Sequence, residues 1–260
     1  MFTSRTPRVV AARRLQRRRD RDETGRFLAE GPQAVREALA SGSVVEVFVA
    51  QDAVRRHQAL LTGRFCVVTA EAIAALAETV QPQGVVAVCT QVDLPPAVAL
   101  STVHNLVAVL AGIRDPGNAG TVLRTADAAG AGLVVFAGET VDPYNGKAVR
   151  ASAGSIFHVG ITRTRDTADA LGRLKAAGLT VLAADAHGDG DLDDLADAGV
   201  LKNRTAWLFG SEAHGLPAGV AALADARVRV PIHGRAESLN LAAAAAVCLY
   251  ASAREQRRSW

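Results

Sequence analysis

The 260-residue chain has few aromatic side chains, 4% of the total, so its interior has to be filled by the Ala, Val and Leu that dominate its 49% hydrophobic content. Cysteine is scarce as well. Cys66, Cys89 and Cys248 are odd in number, far apart and set in apolar stretches, which reads as buried thiols in a reducing cytoplasm. No C-x-x-C or H-E-x-x-H spacing occurs and the histidines form no ligand-like cluster, so no metal site is expected. The glycine patterns that cradle nucleotides are missing too: Gly146-Lys147 is followed by Ala148, no glycine stands five places before Gly146, and no strand-linked G-x-G-x-x-G is present. That argues against NTPases and dehydrogenases. No apolar run has the length and flanks of a signal peptide or a membrane span, so a cytoplasmic protein without membrane contact is expected.

What is present is unevenly distributed. The formal net charge is only +3, yet residues 1–26 hold nine arginines, among them Arg17, Arg18 and Arg19, against Asp20, Asp22 and Glu23. Such an arm reads as a nucleic-acid footprint or, equally, as the solvated face of a helix. Its acidic residues argue against an organelle transit peptide.

After this arm, residues 27–91 alternate helical and β-rich runs and predict a small αβ domain. GPQAVREALASG reads as a helix and VVEVFVA as a strand. A second helix is expected over 52–61, a strand at FCVVT, a helix over AEAIAALAETV and a closing strand at GVVAVCTQ. Residues 92–104 contain Pro95-Pro96 and no sustained period, the pattern of a linker. Over 105–260, strands at NLVAVLAGI, GLVVFAG, FHVGIT, LTVLAAD, TAWLFG and RVRVP alternate with helices, which predicts an α/β domain with a mostly parallel, covered sheet. The last helix, SLNLAAAAAVCLYASAREQ, has Ser238 as its expected N-cap and is apolar almost all round. It must be covered, by this chain's own core or by a second subunit.

Three strand ends carry polar side chains that such turns do not require. RDPGNAGTVLRTADAAG places Asn118 and Gly120 in a tight strand-to-helix turn, with Arg124 on the same face one turn on. WLFGSEAHGLP sets glycines on either side of Glu212, and its exposed backbone groups suit the polar edge of a purine, with Leu208 and Phe209 anchoring the loop. VPIHGRAESLNLA passes Pro231 and Ile232 to Ser238 and Asn240 at the head of the apolar helix. A buried unpaired polar group costs about 1–3 kcal/mol, so these side chains need partners. Capping accounts for Ser238 more readily than for Asn240. Each motif alone is also compatible with an ordinary capped turn.

In this order, at the ends of parallel strands, the three motifs resemble those of the SpoU (TrmH-like) RNA 2′-O-ribose methyltransferases of the SPOUT superfamily. RFLAEGPQAVREALASG resembles the start of that family's ribosomal-protein-like substrate-binding domain; the family is also similar to the thiostrepton-resistance methyltransferases, and the Arg-rich leader fits either branch. The resemblance implies a trefoil knot, S-adenosylmethionine as cofactor and a homodimer. It places Gly210, Ile232 and Leu241, with Leu208 and Leu239 beside them, at the cofactor. It places Asn118, Arg124, Glu212, Ser238 and Asn240 in the catalytic centre. Arg150 and Lys147 are candidate RNA phosphate contacts, together with Arg17, Arg18 and Arg19. Ribosomal RNA is expected ahead of transfer RNA, the alternative being a non-catalytic RNA-binding protein.

Overall fold

The computed structural model describes residues 1–61, 63–212 and 214–258. In chain order the first elements are α1 (Pro7–Arg14), α2 (Arg18–Thr24), β1 (Arg26–Glu30), α3 (Pro32–Ala40), β2 (Val44–Ala50), β3 (Phe65–Val68), α4 (Ala70–Leu76) and β4 (Val85–Thr90). Then come α5 (Pro96–Ala99), β5 (Leu106–Ala111), α6 (Pro116–Ala129), β6 (Leu133–Ala137), α7 (Gly146–Ser152), β7 (Gly160–Thr164) and α8 (Thr167–Ala176). The last are β8 (Thr180–Ala184), β9 (Gly190–Asp191), α9 (Leu192–Asp197), β10 (Thr205–Phe209), α10 (Ala218–Ala221), β11 (Ala226–Arg229) and α11 (Leu241–Arg258). Packing divides them into two compact units: Met1–Val92 with Asp142–His158, and Asp93–Val141 with the chain from Val159 onward.

The first unit is built on a four-stranded sheet in the order β1-β4-β2-β3, with only the β2–β3 pair parallel. Val9 and Ala12 of α1 join Phe48, Ile73, Leu76 and Val86 in one buried cluster, so the arginine arm is folded onto this core. Arg21 is buried with it, 2.7 Å from Asp142, and its guanidinium also donates to the carbonyls of Leu15 and Gln16. The arm thus has two helices where only charge was conspicuous. The helix expected over 52–61 is instead two short 3-10 turns, Gln51–Ala53 and Gln58–Leu60. Between them the buried His57 ring bonds the Gln83 carbonyl at 2.7 Å, and so short an uncapped segment has little helical stability of its own. α4 stops at Leu76 because the chain turns out to let the Glu78 N–H donate to Glu30.

The second unit carries a seven-stranded sheet, β7-β6-β5-β10-β8-β11-β9, in which every pairing is parallel. Every residue of β5 and β10 is buried, as expected for central strands covered on both faces. The chain runs outward from β5 to β6 and β7 on one side, while β10, β8, β11 and β9 lie on the other. The loops after β5 and β10 therefore leave neighbouring strands at the point where strand order reverses, the usual ligand crevice of an open α/β sheet. α11 packs along α6, and the buried Trp207 indole donates to Ser252 of α11 at 2.9 Å. β7 begins at Gly160, since Ser155–Phe157 forms a 3-10 turn instead of its first residues. Residues 93–104 are packed too: Asp93 bridges to Ile161, and Ala99 and Leu100 join the core of this unit.

Candidate functional site

The turn after β5 is fixed by its own sequence. Asp115 caps α6 by accepting the Asn118 N–H at 2.8 Å, and Pro116 occupies the first helical position, where a missing N–H costs nothing. Asn118 is thereby held in the first turn, and Gly120, two residues on, is buried. Arg124 is exposed on the same helix and has no hydrogen-bond or ion-pair partner among the described residues.

The loop after β10 closes on itself: Ser211 N–H donates to the Gly215 carbonyl at 3.0 Å and Gly215 N–H returns to Ser211 at 2.9 Å. A Cβ on Gly210 would stand 2.4–2.6 Å from backbone atoms of Gly215 and Leu216, so only glycine fits beneath this loop. The closure presents Glu212 outward.

Asn240, not Ser238, caps the last helix. α11 starts at Leu241, and the Asn240 Oδ1 accepts the N–H groups of Ala242 at 2.9 Å and Ala243 at 3.4 Å. The cap expected at Ser238 falls two residues early, because Ser, Leu and Asn in a row offer two capping residues and the apolar pattern does not choose between them. Ser238 is released from capping and lines a cavity instead.

The three turns meet in a chain of hydrogen bonds. Asn118 Nδ2 donates to Glu212 Oε1 at 2.8 Å, and Asn240 Nδ2 donates to Asn118 Oδ1 at 3.3 Å. Since a carboxylate only accepts, the Asn118 amide nitrogen must face Glu212, which leaves its oxygen for Asn240. Beside this chain lies a cavity of about 540 Å³ lined by Gly210, Glu212, Ile232, Ser238, Leu239 and Leu241, among others. Its size suits a nucleoside-sized ligand, and it offers apolar walls, backbone groups and acceptors. Leu208 does not line it: that side chain is fully buried in the core cluster against Val109 and Ala183, and Phe209 faces the cavity from this strand.

Asp185, Asp191 and Arg229 also line the cavity, and none of them belongs to the three sequence motifs. The Arg229 guanidinium lies 3.2 Å from Asp191 and also donates to the Gly188 carbonyl. Next to them, the hydrogen bond from Arg227 holds the Asp189 carboxyl below its ordinary range. The signal available in the sequence was Asp185 itself, an acid directly after an apolar parallel strand.

The other charged candidates belong to the first unit. Arg150 is bound to Glu30 at 3.3 Å and Glu78 at 3.2 Å, so a phosphate would have to compete with two carboxylates. Lys147 stands in the first turn of α7, where its N–H donates to the capping Asn145. In the arm, Arg18 pairs with Asp22 at 3.6 Å and Arg19 with Glu23 at 2.7 Å, while Arg17 is exposed without a partner among the described residues. Among the described residues there is no group of three or more His, Cys, Asp or Glu able to hold a metal ion.

Comparison with known proteins adds independent findings. A model described as the SpoU rRNA methylase family matches residues 105–250, and one described as an MRM3-like substrate binding domain matches residues 6–87. The chain is 34% identical over 249 residues to the 23S rRNA (guanosine(2553)-2′-O)-methyltransferase RlmP of Bacillus subtilis, covering 95% of this chain and 96% of the other. Among solved structures, the AdoMet-bound rRNA methyltransferase from Sinorhizobium meliloti superposes with a TM-score of 0.82 at 33% identity, covering 98% of this chain and 97% of that one. The SpoU methyltransferase AviRb from Streptomyces viridochromogenes gives a TM-score of 0.84 at 26% identity, covering 98% and 99%.

Proposed function

Because the chain belongs to the SpoU rRNA methylase family, we propose that it transfers a methyl group from S-adenosylmethionine to a ribose 2′-hydroxyl of ribosomal RNA. The observation that carries this reading is the Asn240–Asn118–Glu212 chain at the rim of the cavity, which joins all three motifs. The cavity fits the cofactor: Gly210 lets the Ser211–Gly215 loop close tightly at its edge, Ile232, Leu239 and Leu241 give apolar walls, and Glu212 and Ser238 supply polar groups. S-adenosylmethionine bound there supplies an electrophilic methyl group.

The chain's own residues have to position the hydroxyl and stabilise the charge that builds on its oxygen. Alignment of reacting atoms at about 3–3.5 Å is worth several kcal/mol of barrier. A guanidinium stays protonated in proteins, so the base is a group other than Arg124. Exposed and unpartnered, it serves as a clamp on an RNA phosphate and a stabiliser of the developing alkoxide. Asn118 and Asn240 hold Glu212 and its loop in place, and Ser238 is free to orient a ligand hydroxyl.

A homodimer is part of the proposal. α11 leaves Ala243, Val247 and Tyr250 exposed at helical spacing, with Tyr250 at 52% and Val247 at 42%, a stripe that a second copy would cover. From the family we also take a trefoil knot around the cavity-lining loops, and from a ribosomal substrate a cytoplasmic site of action. The cofactor assignment is tested with Gly210→Ala. Its Cβ displaces the loop, so calorimetry should find S-adenosylmethionine bound at least about ten-fold more weakly with the melting transition retained. Unchanged affinity would remove this cavity as the cofactor site.

A further inference from the structure

Resting on the reading of residues 6–87 as a substrate-binding unit for RNA, we propose that this unit holds one unpaired nucleotide in an apolar cleft, its base against Phe65 and its phosphate on Arg64. The cleft has a volume of about 280 Å³ and is lined by Leu39, Val45, Val47, Leu60, Arg64 and Phe65, among others. That is just below the usual range for small-molecule sites, roughly 300–1,000 Å³, and suits a single ring system.

Phe65 is 37% exposed in a chain whose Phe27, Phe48, Phe136, Phe209, Trp207 and Tyr144 are all exposed by 1% or less. Its exposure has a structural origin. β3 is the edge strand of the first unit's sheet, and the N-terminal Phe2 pairs with it only around Val67–Thr69, leaving the Phe65 end uncovered. On the neighbouring strand a break in register between Val44 and Glu46 turns Val45 outward, 45% exposed.

Charge selects the occupant. Arg36, Arg55, Arg56 and Arg64 are exposed and without partners among the described residues. The acids of the same stretch are engaged, Glu37 with His158 at 3.2 Å and Glu46 with Arg8 at 3.0 Å, leaving Asp52. A second copy of this face would bring like charges together. Single-stranded RNA instead supplies both a flat apolar ring for Phe65 and an anion for Arg64, the combination by which unpaired nucleotides are usually held.

The test uses the full chain and two labelled RNAs, a hairpin with an unpaired loop and the same stem as a blunt duplex, titrated by fluorescence anisotropy. Phe65→Ala should weaken hairpin binding by roughly ten-fold and leave the duplex nearly unchanged. Phe65→Trp should retain hairpin binding and show quenched emission from the introduced indole as the base stacks. Arg64→Gln should lower the salt slope by about one unit. Equal loss on both RNAs, no loss on either, unquenched emission from the Phe65→Trp variant, or a shift in sedimentation marking this face as a self-association surface would each overturn the proposal. Calorimetry with S-adenosylmethionine should give the wild-type value for Phe65→Ala, which certifies folding. A wild-type protein that methylates no RNA, together with the loop-specific loss in Phe65→Ala, would sink the enzymatic reading and leave this one standing.

Discussion

Asn118 has one orientation that satisfies both of its neighbours, donating to Glu212 and accepting from Asn240. Asn118→Asp keeps the shape and turns the 2.8 Å contact with Glu212 into a pair of facing carboxylates. A lost hydrogen bond to a charged group is worth about 1.5–3 kcal/mol, so turnover should fall about ten- to a hundred-fold. Single-turnover methyl transfer measures it, and a wild-type rate would show that the network is ornamental to the chemistry. The thiols behave differently: burial pushes Cys89 and Cys248 up to about 12 from an ordinary 9.0. Their folded-state values are raised, so the stability linked to them is complete below pH 9 and is lost as pH rises toward about 12, where the unfolded chain releases protons that the folded chain retains. Thermal melts between pH 8 and 11 should show a progressive fall that Cys89→Ala or Cys248→Ala makes shallower; parallel profiles would contradict it. The burial of Cys89 and Cys248 was legible from the apolar residues around them, whereas Cys66, expected to be buried on the same ground, is only partly covered on the edge strand β3. Which polar side chains would bond one another across 94 and 122 residues was not, because each motif shows only its local turn.

At the scale of elements, the first turn of α11 depends on Asn240, which caps the helix and also reaches Asn118. The two duties separate by substitution. Asn240→Asp keeps a capping oxygen and loses the donor, so the melting temperature should hold within a few degrees while turnover falls. Asn240→Ala should lose both, with about 0.5–2 kcal/mol of stability gone with the cap. Equal effects of the two variants on stability would mean that the cap matters less than the packing of α11 on α6. The parallel strands were legible because their runs of Val, Leu and Ala are short, continuous and bounded by glycine, and Asp115-Pro116 is an explicit helix start. Ser238 misled because it is as good a cap as Asn240 by type. β1 escaped notice because Arg26–Glu30 is a short run ending in a charge, and it becomes a strand by pairing with β4, about sixty residues on.

Across the whole molecule, the least legible contact is the buried pair of Arg21 and Asp142, each side chain 3% exposed. It brings Asp142–His158 into the first unit, although chain order places this segment in the middle of the second. Among the arm's arginines, Arg21 reads from sequence like its neighbours; only the fold distinguishes a buried anchor from the exposed Arg17. Removing one partner of such a pair leaves an uncompensated buried charge, a loss of about 3–5 kcal/mol, which makes Arg21 a poor choice for probing RNA contacts. In the other unit, hydrogen bonds join three strand ends beside one cavity. Ribose methylation there is tested most directly by incubating the purified protein with methyl-labelled S-adenosylmethionine and 23S rRNA and analysing the digested nucleosides by mass spectrometry. The digest should contain a single 2′-O-methylated nucleoside that is much reduced with Asn118→Asp; label on a base, or no label on the rRNA while cofactor binds, would rule out ribose methylation at this site.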